Sequence, residues 1–274
     1  MAVSMADITH LRKMTGAGMM DCKNALTEAE GDFEKAMEII RKKGQAVAAK
    51  RSDRDASEGC VLAKVVGNFA AVIALKCETD FVAKNADFVA LTNEILDLAI
   101  ANKCATIEDV KALSLGKGTI ADAITDRIGI TGEKMELDGY GFVEGATTVA
   151  YIHPGSKLAT IAAFNIEGVE AQVTKDVAMQ IAAMNPISID EAGVPADILA
   201  REKEIAADKA RQEGKPENMI DRIATGRIAK FYKEVCLLEQ EYVKDNKLNI
   251  AQFLKNANKD LTVVGFKRFT LNAD

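Results

Sequence analysis

A repeated order of strands and helices restricts the fold of this chain more than any other feature. Two stretches each contain a pair of alternating apolar runs, joined by a tight turn and followed by a run with helical periodicity. The paired runs are 59–66 with 69–78, turning at Gly67-Asn68, and 147–153 with 157–166, turning at His153-Pro154-Gly155-Ser156. A short turn joins antiparallel strands, whereas parallel strands need a long crossover. The sequence therefore predicts an α+β fold in which two similar α+β subdomains with antiparallel sheets lie side by side.

The first 55 residues are expected to form an N-terminal three-helix module with a basic linker. Glycines separate the helical patterns, and a bundle of this size commonly serves for docking. The predicted helices are Ile8–Met14, Met19–Ala29 and Phe33–Lys43, with stops at Gly16, Gly31 and Gly44. Because adjacent helical positions cannot both face one core, either Met19 or Met20 is expected to be exposed. The basic stretch 41–54 has no interleaved aromatic residue, which favours a solvated linker or an extended helix over a nucleic-acid site.

Two long charged patterns further along the chain predict an antiparallel helical hairpin. They cover 196–213 and 216–238 and flank Gly214-Lys215-Pro216, so the two helices are expected to fold back on each other and project from the body. Such a hairpin is suited to contact with a second copy or a partner. The predicted domains are the N-terminal helical module and basic linker (1–55), a first core subdomain (56–140), a second core subdomain (141–190 and 245–274) and the helical-hairpin insertion (191–244).

The composition favours a cytoplasmic protein that binds neither nucleic acid nor membranes. There are 35 Lys and Arg against 41 Asp and Glu, a net charge of -6, and this acidic balance argues against a broad nucleic-acid surface. The five cysteines form no C-x-x-C pair and indicate free thiols in a reducing compartment. The N-terminal residues hold no apolar signal core, and no window approaches the roughly 18 consecutive apolar residues of a membrane span.

The residue patterns of common enzymes and cofactor sites are missing. Gly116-Lys117 and Gly214-Lys215 lack the earlier glycine of a phosphate-binding loop, and Gly16-Ala17-Gly18 lacks the third glycine of a dinucleotide fingerprint. The two histidines, His10 and His153, stand in no recognisable nucleophile or zinc context. We therefore expect an interaction protein that is not an enzyme and uses no cofactor or metal. A non-catalytic ubiquitin-like or RNA-binding adaptor, built on the N-terminal module, is the alternative from these residues alone.

The stretch from Thr79 to Asn85 lies at the junction between an alternating run and a helical run. An acidic residue beside a phenyl ring at such a junction has two explanations. In the first, Asp80 caps the next helix and Phe81 enters the core. In the second, both side chains point outwards and enter a site on another protein. The stretch taken by itself favours the first explanation.

Three separated motifs carry a resemblance to a known family. They are Leu11-Arg12-Lys13-Met14-Thr15-Gly16-Ala17-Gly18-Met19-Met20-Asp21-Cys22-Lys23, the stretch Thr79-Asp80-Phe81-Val82-Ala83-Lys84-Asn85, and Tyr151-Ile152-His153-Pro154-Gly155. Together they span nearly the whole chain in the family's order. The chain resembles the bacterial elongation factor Ts family, the guanine-nucleotide exchange factors for elongation factor Tu. It departs from the family pattern at Ser156-Lys157-Leu158-Ala159, where the family commonly reads Gly-Arg-Ile-Gly.

The resemblance implies a function and a set of contact residues. It implies a ubiquitin-associated-like N-terminal module, two α+β subdomains and a hairpin that pairs two copies. It also implies that the protein binds elongation factor Tu during translation and promotes GDP release by disturbing the Mg²⁺ and phosphate site. By matching positions, the residues that would enter the partner's nucleotide-binding domain are Thr79, Asp80, Phe81 and Val82. Arg12, Met19 and Met20 would contact that domain from another side, and His153 would meet the partner's distal β domain.

Overall fold

The computed structural model describes residues 3–271 and shows a mixed fold of helices and small sheets. Two three-stranded sheets and two short two-stranded ones form in this part of the chain. The predicted α+β class is therefore confirmed. Within the described residues, no helix combines the length and the apolar character needed to cross a membrane.

The chain divides into two compact units. Unit 1 comprises the described parts of Met1–Leu62, Ile73–Gly141 and Thr270–Asp274, and unit 2 comprises Ala63–Val72 and Phe142–Phe269. The predicted domain boundaries stay a prediction, and residues 1, 2 and 272–274 of those ranges lie outside the described residues.

Three helices at the start of the chain form a bundle in unit 1: α1 (Met5–Thr15), α2 (Met19–Glu28) and α3 (Phe33–Lys50). Ser4 begins α1 with a capping box, Gly16 ends it in the left-handed conformation at φ 71°, and Asp32 caps α3. The apolar side chains that share the small core of this bundle include Ile8, Leu11, Cys22, Ala25, Leu26 and Ala36.

The chain then continues through a hairpin, several helices and a third strand. In order these are β1 (Glu58–Val66), β2 (Phe69–Cys77), α4 (Asp80–Ala83), α5 (Ala86–Ala101), α6 (Ile107–Ala112), β3 (Ser114–Leu115), β4 (Gly118–Thr119), α7 (Ile120–Thr131) and β5 (Met135–Glu144). The first three-stranded sheet has the order β1-β2-β5, so β2 is its central strand and is buried on both faces. The predicted hairpin about Gly67 is confirmed, and the pair β3-β4 was not predicted.

Gly44 is not a helix stop, contrary to the sequence-based prediction, because α3 continues to Lys50. The glycine is buried, and an ideal Cβ on Gly129 of α7 would lie only 2.4 Å from the Gly44 Cα. The two helices therefore approach at a point where neither residue has a side chain. An ion pair between Arg41 and Asp122, at 2.7 Å, joins the same two helices. The glycine in α3 serves helix packing and not helix termination.

Unit 2 is built on the second sheet and its covering helix. The elements after β5, which belong to unit 2 except for Thr270 at the end of the last strand, are β6 (Thr147–Ile152), β7 (Leu158–Phe164), α8 (Ala171–Met184), a 3₁₀ turn (Glu191–Gly193), α9 (Ala196–Gln212), α10 (Glu217–Val235), β8 (Glu241–Tyr242), β9 (Asp245–Asn249), α11 (Ile250–Ala257) and β10 (Val263–Thr270). The strands follow the order β10-β7-β6, with β6 and β7 antiparallel. Phe164, Val177, Ile181 and Leu254 belong to the core between this sheet, α8 and α11. The predicted strands and helices of this region are present, whereas β8 and β9 were not predicted.

The two long helices pack on each other as a hairpin through small and β-branched side chains. Ala206 and Ala210 of α9 are buried, as are Ile220, Ala224 and Ile228 of α10. Arg227 reaches across with its guanidinium, which donates to both carboxylate oxygens of Glu213 at 2.7 and 2.8 Å. The expected helical hairpin is thus present.

Candidate partner-binding site

The acidic-aromatic stretch forms a single helical turn, α4, at the end of the buried central strand β2. Thr79 is its N-cap, with an extended backbone and a side-chain oxygen that accepts from the Val82 N–H at 3.4 Å. Asn85 is in turn the N-cap of α5 and accepts from the Asp87 N–H at 2.9 Å. The expectation that Asp80 caps the next helix is therefore wrong, since Asp80 lies in the first turn of α4. We refer to Thr79, Asp80, Phe81 and Val82 as the tip.

Phe81 is the most exposed large apolar side chain among the described residues, with 86% of its surface accessible. The explanation that placed this ring in the core is wrong. Burial of a phenyl ring against another molecule contributes about 1.5–3 kcal/mol, and the exposed ring does not use this free energy within the chain. Asp80 beside it is partly exposed, and its carboxylate accepts from the Lys84 ammonium at 2.6 Å. The carboxylate raises the pKa of Lys84, and that ammonium stays charged at neutral pH.

The tip is held by contacts at its base. The Thr79 N–H donates to Glu133 Oε2 at 3.0 Å, and the Thr79 hydroxyl donates to Glu133 Oε1 at 2.6 Å. Glu78 accepts from the Arg51 guanidinium at 3.2 and 3.3 Å and from the Lys134 backbone N–H at 2.6 Å. Hydrogen bonds to ionised groups are shorter and stronger than neutral ones. The residues before Phe81 are therefore fixed although Phe81 itself contacts solvent.

Cys77 adds a further contact below the tip. Its thiol donates to the Thr79 carbonyl oxygen at 3.2 Å. Burial, and after it the negative charge of Glu133, raises the pKa of Cys77 to about 12. The sulfur thus remains a protonated donor at physiological pH and is no nucleophile.

The predicted residues of the N-terminal bundle lie in the same unit as the tip. Arg12 of α1 is exposed, Met19 packs partly against the bundle core, and Met20 is 64% exposed. The prediction that one of the adjacent methionines is exposed is confirmed. Met5 and Met14 are exposed as well, and no helical pattern had singled them out. Flexible, polarisable methionine side chains suit a contact surface.

His153 lies in unit 2, in the turn between β6 and β7, and is exposed. Its Nδ1 is 3.0 Å from the Tyr151 hydroxyl, and its backbone N–H donates to the Leu158 carbonyl at 2.8 Å. Ser156 in this turn has a φ of 52°. That is the left-handed region, which glycine adopts readily and serine does at a cost. The departure from the family pattern thus falls where the backbone would favour glycine.

The structure brings together Thr79, Asp80, Phe81 and Val82, and it places Arg12, Met19 and Met20 in the same unit. Sequence reasoning missed Glu133 and Arg51, which hold the base of the tip. Glu133 is 54 residues from Thr79 along the chain, and no local pattern links the two positions.

Known proteins resemble this chain over its full length. A family model described as elongation factor TS matches residues 78–273. Elongation factor Ts of Porphyromonas gingivalis (strain ATCC 33277) is 63% identical over 275 residues, covering 100% of both chains. Those of Phocaeicola vulgatus (strain ATCC 8482) and Azobacteroides pseudotrichonymphae genomovar CFP2 are 55% and 54% identical, again over 100% of both chains. The chain therefore belongs to the elongation factor Ts family of translation elongation factors.

Proposed function

We propose that this chain is the cytoplasmic guanine-nucleotide exchange factor of elongation factor Tu and speeds GDP release by inserting its tip beside the partner's Mg²⁺ and phosphate site. One observation carries the proposal. Phe81 is 86% exposed on a turn whose base is fixed by hydrogen bonds to Glu133 and Glu78. A ring presented in this way can enter an apolar gap in a partner, and Asp80 accompanies it as an acceptor for groups that order the phosphate loops.

The tip alone cannot supply the free energy that accelerated nucleotide release requires. A nucleotide held at nanomolar strength represents about 12 kcal/mol of binding. An acceleration of release by about 10⁴ requires roughly 5.5 kcal/mol of preference for the loosened state. One phenyl ring supplies about 1.5–3 kcal/mol. The remainder must come from a wider surface, and the exposed Arg12 and Met20, with the half-buried Met19, provide one in the same unit.

Coupling of this kind is reciprocal. If the bound factor weakens GDP binding, then GDP or GTP weakens factor binding by the same ratio. Rebinding of nucleotide therefore releases the factor, and no covalent step is needed. His153 of unit 2 is exposed, and we expect it to contact the partner's distal β domain. We also expect the hairpin α9–α10 to be the contact between two copies of the chain.

The test is GDP release from elongation factor Tu, followed with a fluorescent GDP analogue at saturating factor. We expect Asp80→Ala with Phe81→Ala to slow stimulated release by well over tenfold while most of the affinity for nucleotide-free elongation factor Tu is kept. Val264→Ala removes another exposed apolar side chain and serves as the matched control, with release unchanged. Unchanged release in the double variant would exclude the tip as the effector.

The RNA-binding alternative gains no support from the basic stretch. Arg41 pairs with Asp122, Lys42 with Glu38 and Arg51 with Glu78. Charges engaged in this way attract phosphates less strongly than a free basic patch. An RNA complex would lose affinity steeply as salt is added, whereas the proposed protein complex depends mainly on apolar contacts. A salt titration of binding to RNA and to elongation factor Tu separates the two.

A further inference from the structure

The helical turn that carries Phe81 cannot hold its own shape. α4 has four residues and no buried side chain. A helix needs far more residues than this to be stable alone, because its first turn fixes several backbone dihedrals for one hydrogen bond. Its conformation must therefore be imposed by the residues at its two ends.

Glu133 contacts the first of these ends, the N-cap residue Thr79. Both of its carboxylate oxygens are used on one residue, since Oε2 accepts from the Thr79 N–H at 3.0 Å and Oε1 from the Thr79 hydroxyl at 2.6 Å. Fixing both donors sets the backbone direction and the side-chain rotamer of Thr79 together. Because the hydroxyl hydrogen points to Glu133, the oxygen lone pairs are left to accept from the Val82 N–H at 3.4 Å.

Glu133 is itself held in place by the neighbouring residues of the chain. It follows Gly132, which ends α7 in the left-handed conformation at φ 73°. The next residue, Lys134, donates its backbone N–H to Glu78 at 2.6 Å. Consecutive residues 133 and 134 thus hold consecutive residues 78 and 79, so the segment between α7 and β5 clamps the base of the tip from one side.

We infer that Glu133 is a positioning residue for nucleotide exchange, which sets the direction of Asp80 and Phe81 through Thr79 without touching the partner or its nucleotide. This inference rests on the proposed function of the tip. It assigns to Glu133 an effect on the release step and little effect on the stability of the complex, because both side-chain hydrogen bonds of Glu133 go to Thr79 of the tip.

The decisive measurement compares Glu133→Ala with Glu136→Ala, a nearby exposed glutamate that pairs with Lys134 at 3.5 Å. We expect Glu133→Ala to slow GDP release at saturating factor by at least about tenfold, the lower limit for losing a single hydrogen bond to a charged group. Its affinity for nucleotide-free elongation factor Tu should change less than threefold. Glu133→Gln, which keeps one acceptor oxygen, should fall between Glu133→Ala and the unaltered protein. Release equal to that of Glu136→Ala would overturn the inference.

A variant cycle separates positioning from a general structural effect. In the Asp80→Ala, Phe81→Ala background, Glu133→Ala should cause no further slowing, because the groups it positions are gone. Equal slowing in both backgrounds would show that Glu133 acts elsewhere and would overturn the inference.

Amide hydrogen exchange of the free factor tests the same inference without the partner. The Val82 and Ala83 amides should exchange at least tenfold faster in Glu133→Ala, while the core amides of β2 are unchanged. If Asp80→Ala with Phe81→Ala fails to slow release, the proposed function falls, and the exchange of these two amides alone then decides whether Glu133 holds the tip.

Discussion

The contact between α3 and α7 predicts that a glycine-to-alanine change in a helix will destabilise the protein, which is the opposite of the usual effect. Replacing a helical glycine by alanine normally stabilises a protein by about 0.5–1 kcal/mol, because glycine loses more backbone entropy on folding. At Gly129, however, the added Cβ would lie 2.4 Å from the Gly44 Cα. Contact between carbon atoms is favourable only at about 3.5–4.0 Å. The helices would have to separate by more than an ångström, because a backbone atom cannot rotate out of the way.

The expected cost follows from these two terms. Overpacking of this kind destabilises by about 1–3 kcal/mol, and the propensity gain offsets up to about 1 kcal/mol of it. We expect Gly129→Ala to lower the free energy of unfolding by about 1–2 kcal/mol. Gly44→Ala should be nearly neutral, because its Cβ would lie 3.4 Å from the Gly129 Cα. Gly226→Ala in α10 should stabilise by about 0.5–1 kcal/mol, because the added Cβ would meet no atom of the described residues within 4 Å apart from its own stretch of helix.

Urea unfolding followed by circular dichroism measures the three variants, and hydrogen exchange of the α3 amides localises the change to unit 1. We expect faster exchange in α3 for Gly129→Ala and no change there for Gly226→Ala. If Gly129→Ala stabilises the protein as much as Gly226→Ala does, α3 and α7 do not meet at their glycines, and the reasoning about Gly44 fails.

Three further predictions use separate observations. Phe81→Ala should change stability by less than about 0.5 kcal/mol because the ring is exposed, whereas Phe88→Ala, 1% exposed, should cost about 3–5 kcal/mol in thermal or urea unfolding. All five cysteines are buried, and burial raises the pKa of Cys60 to about 11. A thiol reagent at pH 8 should therefore label the folded protein far more slowly than the protein in denaturant. Rapid labelling of the folded chain would contradict this. Burial alone would raise the pKa of Asp176, but hydrogen bonds from Lys244, Tyr242 and Gln172 outweigh it and lower the pKa below its ordinary value. The contribution of the Asp176 carboxylate to the free energy of unfolding is therefore full above its unfolded pKa of about 3.9 and is lost as the pH falls through the lower folded pKa. Asp176→Asn should make the free energy of unfolding depend less steeply on pH in the acid range. An unchanged dependence would refute this prediction.

The sequence predicted those elements whose signals are local. The hairpin about Gly67 and the long helices α9 and α10 are encoded by alternation and helical spacing within their own residues, so they were found. The prediction that Gly44 ends a helix is wrong, because a glycine that ends a helix and a glycine at a contact between helices give the same signal in the sequence. Only the structure shows that Gly129 lies opposite Gly44. The strands β8 and β9 are not predicted, because they are short and mostly polar and show no alternation of apolar and polar residues.

The candidate site shows the same division. The identity of the tip residues followed from motif resemblance, but the exposure of Phe81 did not follow from its own sequence, which favoured burial. Thr79 and not Asp80 takes the N-cap of α4, and Thr79 is held there by Glu133, 54 residues away. Long-range contacts of this kind leave no periodic signal in one sequence.

The fixed base of the tip also bears on how exchange can be efficient. Ordering the backbone of one residue costs about 1–2 kcal/mol, so a disordered four-residue tip would lose roughly 4–8 kcal/mol on entering the partner. That is as large as the roughly 5.5 kcal/mol needed for a 10⁴ shift in population. In this chain the contacts of Glu133, Arg51 and the N-cap order these residues when the protein folds, so this conformational entropy is lost before the partner binds. Under the proposed function, the binding energy of Phe81 is then available to open the nucleotide site, and loosening the base should weaken exchange more than it weakens binding.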